Sequence, residues 1–241
     1  QELFKVVELS EIMRQKQDVP FAEVLNSLRT RELQEPLNNE TLSMLHECVR
    51  EGPEDVLHVY ATNDEVNNYN LKMLRKSCDD FVEIDAQDFE KDTATGKLTM
   101  RKKPISRSKT DGLSSSLLIA VNARVMLTRN CNVEDGLVNG VMGKILHFLF
   151  KDGNVDHVLA VGVIFDNMNV GQRTGRKTPE GNVVLIERAQ EEVVEKKSRS
   201  FIRHQFPLRL SWACTAHKVQ GMTVDKVVVN LDRTFSAGQG Y

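Results

Sequence analysis

The chain has 241 residues, 40% hydrophobic and 27% charged, with a formal net charge of -2. A chain of that length buries a core without disulfide or metal staples, and a near-neutral charge excludes a global basic field, so any nucleic-acid contact must rest on local charge placement. No apolar run approaches the roughly 20 residues of a membrane helix, and Cys48, Cys78, Cys131 and Cys214 show neither CxxC nor zinc spacing, so they read as free buried thiols.

Lys5–Leu9 is strand-like, and Ser10 leads into a helical stretch through Arg14 and Gln15. Asp18 is placed to cap a second helix, with Pro20 in its first turn, where the missing N–H costs little. Phe21, Val24, Leu25 and Leu28 form its apolar stripe, and Leu42, Leu45 and Val49 suggest a third helix. Val56–Ala61 reads as a buried strand. Thr62 and Glu65 then fit a capping box, and Val66, Tyr69, Asn70 and Met73 follow one helix face. A strand feeding a helix N-terminus is α/β architecture.

From Phe81 the pattern changes to strands and turns. Arg101–Ser116 is basic and Ser-rich and contains Pro104, so it reads as a surface loop. Leu117–Thr128 is apolar with a break expected at Asn122. Asn139-Gly140 and Asp152-Gly153 are turn signals among strand candidates at 141–150, 158–165, 183–187 and 201–208, with a glycine-rich loop at 167–181. These short strands suggest a small β-barrel inserted in the α/β domain. Leu208–Val219 reads as a helix that Gly221 ends, and Lys226–Leu231 as a buried strand.

The densest chemistry lies in Trp212-Ala213-Cys214-Thr215-Ala216-His217-Lys218-Val219-Gln220-Gly221-Met222-Thr223. On a helix Thr215 and Lys218 share a face. A hydroxyl, an imidazole and an ammonium together hold phosphate oxygens, and Gly221 permits close backbone approach. The bland alternative is an exposed polar helix with a Gly stop. At Thr62-Asn63 a helix N-terminus suits a phosphate, and a plain cap explains the same residues. Arg101-Lys102-Lys103 with Arg107 and Lys109, and Lys196-Lys197 with Arg199 and Arg203, read as solvated surface, with tracking of DNA as the alternative. No Gly-x-x-x-x-Gly-Lys-Ser/Thr occurs, so the sequence holds no P-loop. Val227–Asp232 reads as a core strand rather than a Walker B strand.

The segment 207–223, followed by Val227-Val228-Val229 and Leu231, closely resembles motif V of the PIF (petite integration frequency) DNA helicases, superfamily-one motors. Ser211 stands where Ala is more usual. Val7–Gln15 is similar to that family's Leu-Thr-x-x-x-Arg-Gln segment, and Thr62-Asn63 with Val66 and Asn70 to its Thr-Asn-x-x-Val-x-x-x-Asn segment. Arg124–Asn130 and Gly136–Gly143 resemble the lead into its inserted barrel; where the family usually has Gly, this chain has Asn122, which tolerates the same left-handed backbone.

The resemblance implies an α/β fold: a RecA-like, P-loop-NTPase-type second motor domain interrupted by a small Src-homology-three-like β-barrel. The expected division is 1–136 and 207–241 for the RecA-like part and 137–206 for the barrel. It implies that Arg14 reaches the γ-phosphate, that Gln220 and Gly221 sense the nucleotide, and that Thr62, Asn63, Thr215, His217 and Lys218 meet the DNA backbone. Arg14 and Gln220 are the residues it implies for catalysis. ATP and Mg²⁺ are expected to be held mainly by another motor half, and single-stranded DNA and duplex junctions are the expected partners. The sequence opens at Gln1 without an initiator Met and is expected to be part of a longer protein, with the family's last motif beyond Tyr241. The chain alone is then expected not to hydrolyse ATP. A truncated nucleic-acid-binding module and an inactive, mobile-element-type remnant are the rival readings. An intracellular location is expected, nuclear first and mitochondrial second.

Overall fold

The computed structural model describes residues 18–30, 35–92, 95–101, 113–151, 154–195, 199–220, 222, 224 and 226–232. The strand and helix expected over 5–15, the turn at Asp152-Gly153 and most of the basic 101–116 loop lie outside these residues. The chain divides into two compact units, 1–53 with 231–241, and 54–230.

The first unit contains two described helices. Helix α1 (Val19–Thr30) starts at Asp18, whose carboxylate accepts the Phe21 N–H at 3.2 Å, as its capping position requires. Helix α2 (Asn39–Cys48) is capped by Asn38, which accepts the Thr41 N–H at 2.7 Å. The apolar stripe expected on α2 is poorly buried: Leu42 is exposed, and Val49 lies past the helix end in solvent.

The second unit begins with β1 (Leu57–Tyr60) and α3 (Asn63–Ser77). The capping box is complete, and Val66, Asn70, Met73 and Leu74 are buried along one helix face. There follow β2 (Val82–Asp85), β3 (Gln87–Lys91), β4 (Leu98–Met100), β5 (Ser116–Ile119) and β6 (Arg124–Leu127). Then come β7 (Met142–Lys151), β8 (Asn154–Phe165), β9 (Arg176–Thr178), β10 (Gly181–Ile186), β11 (Ala189–Glu195) and β12 (Arg199–Gln205). The unit closes with β13 (Leu208–Leu210), β14 (Ala213–Thr215), α4 (Ala216–Val219) and β15 (Val227–Val229).

Strands β14, β1 and β15 form a three-stranded parallel sheet in that order. The other pairings are antiparallel: a six-stranded sheet β13-β6-β7-β8-β10-β9, a four-stranded sheet β11-β12-β3-β4, and the pair β2-β5. Strands of the 137–206 segment therefore share sheets with strands on both sides of it: β12 lies against β3, and β7 against β6, which in turn pairs with β13. One continuous core joins α3 to these strands through Leu74, Ile119, Val125, Ile145, Val163 and Trp212.

Two backbone positions, one in a turn and one inside a strand, constrain the residue they can hold. Asn122 adopts φ 70°, in the left-handed region, and turns β5 into β6. Gly143 faces β8 so closely that a Cβ would stand 2.4 Å from the Ile164 carbonyl oxygen, so no larger residue fits.

Four expectations need correction. The strand expected to be buried over Lys226–Leu231 covers only Val227–Val229, and Val227, Val229 and Leu231 are exposed. Leu208–Val219 is not one helix but two strands and a single helical turn. Its residues 211–215 are all buried, and an apolar run buried on both faces has no period to tell strand from helix. Arg203 is not solvated surface but completely buried. It stands opposite Asp88 across β12 and β3, where Nε and Nη2 each donate to the Asp88 carboxylate at 2.7 Å and Nη1 donates to the Leu113 carbonyl at 3.2 Å. The cysteines are all free, but only Cys78 and Cys214 are buried; Cys48 and Cys131 are exposed.

A buried guanidinium left without its carboxylate is strongly destabilising, whereas apolar replacement of both partners is often neutral. Asp88→Ala is expected to lower unfolding stability by about 3–5 kcal/mol in urea titrations, and pairing Asp88→Leu with Arg203→Met to recover most of it. A single-variant loss below about 1 kcal/mol would contradict the role given to this pair.

Candidate functional site

The three parallel strands run the same way, so their C-terminal ends and the helices that follow gather at one sheet edge. Strand β1 delivers Thr62 and Asn63 at the start of α3, and β14 delivers Thr215, His217 and Lys218 at the start of α4. Tyr60 and Thr215 are register partners, which sets the two segments side by side, about 5 Å apart at the strand ends. Ligands of open α/β sheets gather at this edge.

Each predicted residue has a definite place or lies outside the described set. Thr62 is half-buried and committed to its cap. Its hydroxyl donates to the Glu65 carboxylate at 2.6 Å and accepts the Glu65 N–H at 3.2 Å, while its own N–H donates to the same carboxylate at 3.1 Å. The neighbouring Asn63 is exposed and occupies the first helical turn, where backbone N–H groups have no intrahelical acceptor. Thr215 is buried and precedes α4 without a side-chain cap bond. His217, Lys218 and Gln220 are exposed. Arg14 and Gly221 lie outside the described residues.

A tyrosine–histidine cluster supports this edge from the α3 side. The Tyr69 hydroxyl shares a 2.8 Å hydrogen bond with His58 Nε2, and the two rings stack at 4.3 Å between centroids. Tyr60 packs against Tyr69 at 5.5 Å. Burial, with Tyr60 and Glu54 nearby, pushes the Tyr69 hydroxyl up to about 12. Burial likewise pushes the Cys214 thiol, between Ala213 and Thr215, up to about 11 against the pull of Arg209. Cys214 is therefore a neutral packing group and not a nucleophile.

Beside the edge lies a groove of about 860 Å³, lined by Lys218 and Arg209 and by the amides of Asn67, Asn130 and Asn139. Ser114 and Thr128 also line it; their hydroxyl oxygens are buried and, among the described residues, have no hydrogen-bond partner. Six leucines complete a mixed lining, Leu71, Leu113, Leu117, Leu118, Leu208 and Leu210, so the groove offers basic and amide groups beside apolar surface. Sequence reasoning missed Arg209, Asn67, Asn130 and Asn139 as groove residues, because 67, 130, 139 and 209 converge only through the pairing of β6 with β13 and the packing of α3. Among the described residues no group of three His, Cys, Asp or Glu side chains could hold a metal ion.

No family model matches the chain. Among curated proteins it is 28% identical to the ATP-dependent DNA helicase PIF1 of Danio rerio over 238 residues, 98% of this chain and 32% of that protein. It is 30% identical to the ATP-dependent DNA helicase PIF6 of Trypanosoma brucei brucei, over 95% of this chain and 26% of that protein. The chain thus spans about a third or less of the curated relatives it matches. Among solved structures, the Pif1 helicase of Candida albicans superposes with a TM-score of 0.69 at 26% identity, over 95% of this chain and 51% of that one. A Bacteroides Pif1 bound to single-stranded DNA gives 0.66 at 24% identity, over 98% and 48%. The mixed α/β fold is that of solved Pif1 helicases.

The Tyr69 shift carries a sign. Its folded-state value lies above the ordinary 10.0, so its contribution to stability is full below pH 10 and is lost as pH rises through about 12. Phenolate absorbance of the folded protein is expected to show a late step near pH 12 that Tyr69→Phe abolishes. A titration complete by pH 11 in the wild type would contradict the buried setting of this hydroxyl.

Proposed function

We propose, taking as premise its homology to PIF1 DNA helicases over nearly its whole length, that this chain is the second motor half of an ATP-dependent DNA helicase. In this reading 1–136 and 207–241 make up the RecA-like part and 137–206 the inserted barrel-type part. The observation that carries the proposal is that Asn63 and the His217-Lys218 turn follow the register-paired ends of β1 and β14, with Lys218 also lining the groove.

The chemistry follows from the residue types. Lys218 is a compact cation and His217 a ring donor, both exposed, and both suit backbone phosphates. Thr215 adds a hydroxyl at the strand end. Thr62 contributes by holding the start of α3 in place, its own groups being used in the cap. Asn67, Asn130 and Arg209 extend the polar track along the groove. Few aromatic residues are available for stacking, so backbone contacts dominate and binding is expected to be salt-sensitive.

Nucleotide chemistry is expected to be shared with another part of the protein. The chain has no P-loop. In this reading ATP and Mg²⁺ are held mainly by the other motor half, and this chain alone is not expected to hydrolyse ATP. Gln220, exposed directly after α4, is positioned to report the nucleotide state to Lys218 two residues away; Arg14 and Gly221 keep the roles the family resemblance gives them. Opening and closing of the cleft between halves then alternates grip and release on a single strand, and duplex junctions are the corresponding substrate. The compartment that fits is a nuclear or mitochondrial genome.

In fluorescence anisotropy with a labelled oligothymidylate, His217→Ala combined with Lys218→Ala is expected to weaken binding by the intact protein about tenfold or more. The salt slope should fall by about 1 to 2. DNA-stimulated ATP hydrolysis should fall with it. Binding that keeps its affinity and its salt slope in this double variant would refute the assignment.

A further inference from the structure

Among the described residues β14 is an edge strand: it pairs with β1 and with no other strand of its sheet. His58, the register partner of Ala213, donates its N–H to the Trp212 carbonyl at 2.9 Å. In a parallel ladder a strand residue bonds to the two neighbours of its partner, so the N–H and C=O of Ala213 itself point away from β1. Buried as they are, they need a partner. Asn70 of α3 supplies it. Its Oδ1 accepts the Ala213 N–H at 2.8 Å, and its Nδ2 donates to the Ala213 carbonyl at 3.0 Å and to the Leu210 carbonyl at 3.3 Å. The amide bonds as a neighbouring strand would and ties the end of β13 to the start of β14. Asn70 is 3% exposed, and its hydrogen bonds serve this one junction.

The two ends of this bond lead to the two halves of the site. Asn70 lies two helical turns after Asn63, about 10 Å along a rigid helix. Ala213 lies two residues before Thr215 and five before Lys218. We infer that Asn70 is a positioning residue for the polynucleotide grip: it locks β14 to α3, so that Asn63 and the Thr215–Lys218 segment present one fixed spacing to successive phosphates. The inference rests on the DNA-binding reading above and adds to it a residue that also lines the groove but whose amide is engaged by β13 and β14.

Only a side-chain amide of this length does this work. Aspartate would set carboxylate oxygens against two carbonyls, leucine fills the volume without bonds, and alanine leaves both strand groups unsatisfied.

The test is equilibrium binding of a labelled oligothymidylate to the intact protein over a range of salt, at a temperature where every variant is folded. Lys218→Ala, Asn70→Leu, the double variant and Leu74→Ala are compared. Leu74, fully buried one turn further along α3, serves as a control for lost stability without lost positioning. Lys218→Ala and Asn70→Leu are each expected to weaken binding several-fold and to lower the salt slope by about 1. The double variant should be no weaker than the worse single variant, because a displaced Lys218 has nothing left to lose. Leu74→Ala should lower the melting temperature and leave affinity and slope unchanged. Should Asn70→Leu not fold, Asn70→Ser removes the same bonds with less bulk and takes its place. If the Asn70 variants keep full affinity and slope while Lys218→Ala weakens binding, Asn70 is a stability contact only and the inference is overturned. If Lys218→Ala itself leaves binding unchanged, the DNA reading fails and the inference falls with it.

Discussion

A strand edge buried in protein must have its backbone groups satisfied, and the site depends on how this is done at β14. Among the described residues the parallel sheet is three strands wide, and β14 leads into the residues proposed to meet the ligand. A fourth strand would cover that edge but would also crowd the start of α4. An asparagine from the neighbouring helix satisfies the same groups with one side chain. The solution keeps β14 narrow, keeps α4 accessible, and makes the geometry of the sheet edge dependent on α3. The capping box at Thr62 then fixes where α3 begins, so one helix sets both the near and the far side of the site.

Charge placement explains how a chain of net charge -2 presents a cationic edge. Several arginines are already engaged. Arg203 is buried against Asp88, Arg124 makes a bidentate pair with Asp166 at 2.6 Å, and Arg129 meets Glu191 at 2.7 Å. Their charge is neutralised locally and contributes little beyond about one Debye length, roughly 8–10 Å at cellular salt. Lys218 and Arg209 stand together in the lining of one groove. Local arrangement, and not composition, determines what this face attracts.

Some of this was legible in the sequence because the signals were local. The cap of α1 at Asp18, the capping box at Thr62, the buried face of α3 and the left-handed turn at Asn122 each depend on residues within a few positions of one another, and each is found. What could not be read depended on partners far along the chain. Trp212–Thr215 has the apolar content of a buried helix as much as of a buried strand, and only pairing with β1, some 150 residues upstream, decides between them. Arg203 has the sequence context of a surface cation until β12 meets β3 and Asp88 stands opposite. Asn70 was visible as part of a helix face, but its three bonds reach Leu210 and Ala213, and nothing near position 70 announces them. The residues of the site were therefore legible as chemistry, while the bonds that hold them in place were not.

The buried pair of Asp88 and Arg203 also constrains how this protein diverges. Each residue makes the other tolerable, so a lineage that replaces one first passes through a chain with a stranded charge in its core. Such an intermediate is removed by selection unless stability is held in reserve elsewhere. Substitutions at the two positions should therefore arrive together or not at all, although 115 residues separate them. The pair acts as an epistatic lock, and across descendants of this sequence the register of β3 against β12 should be inherited more faithfully than the identity of the loops that join them.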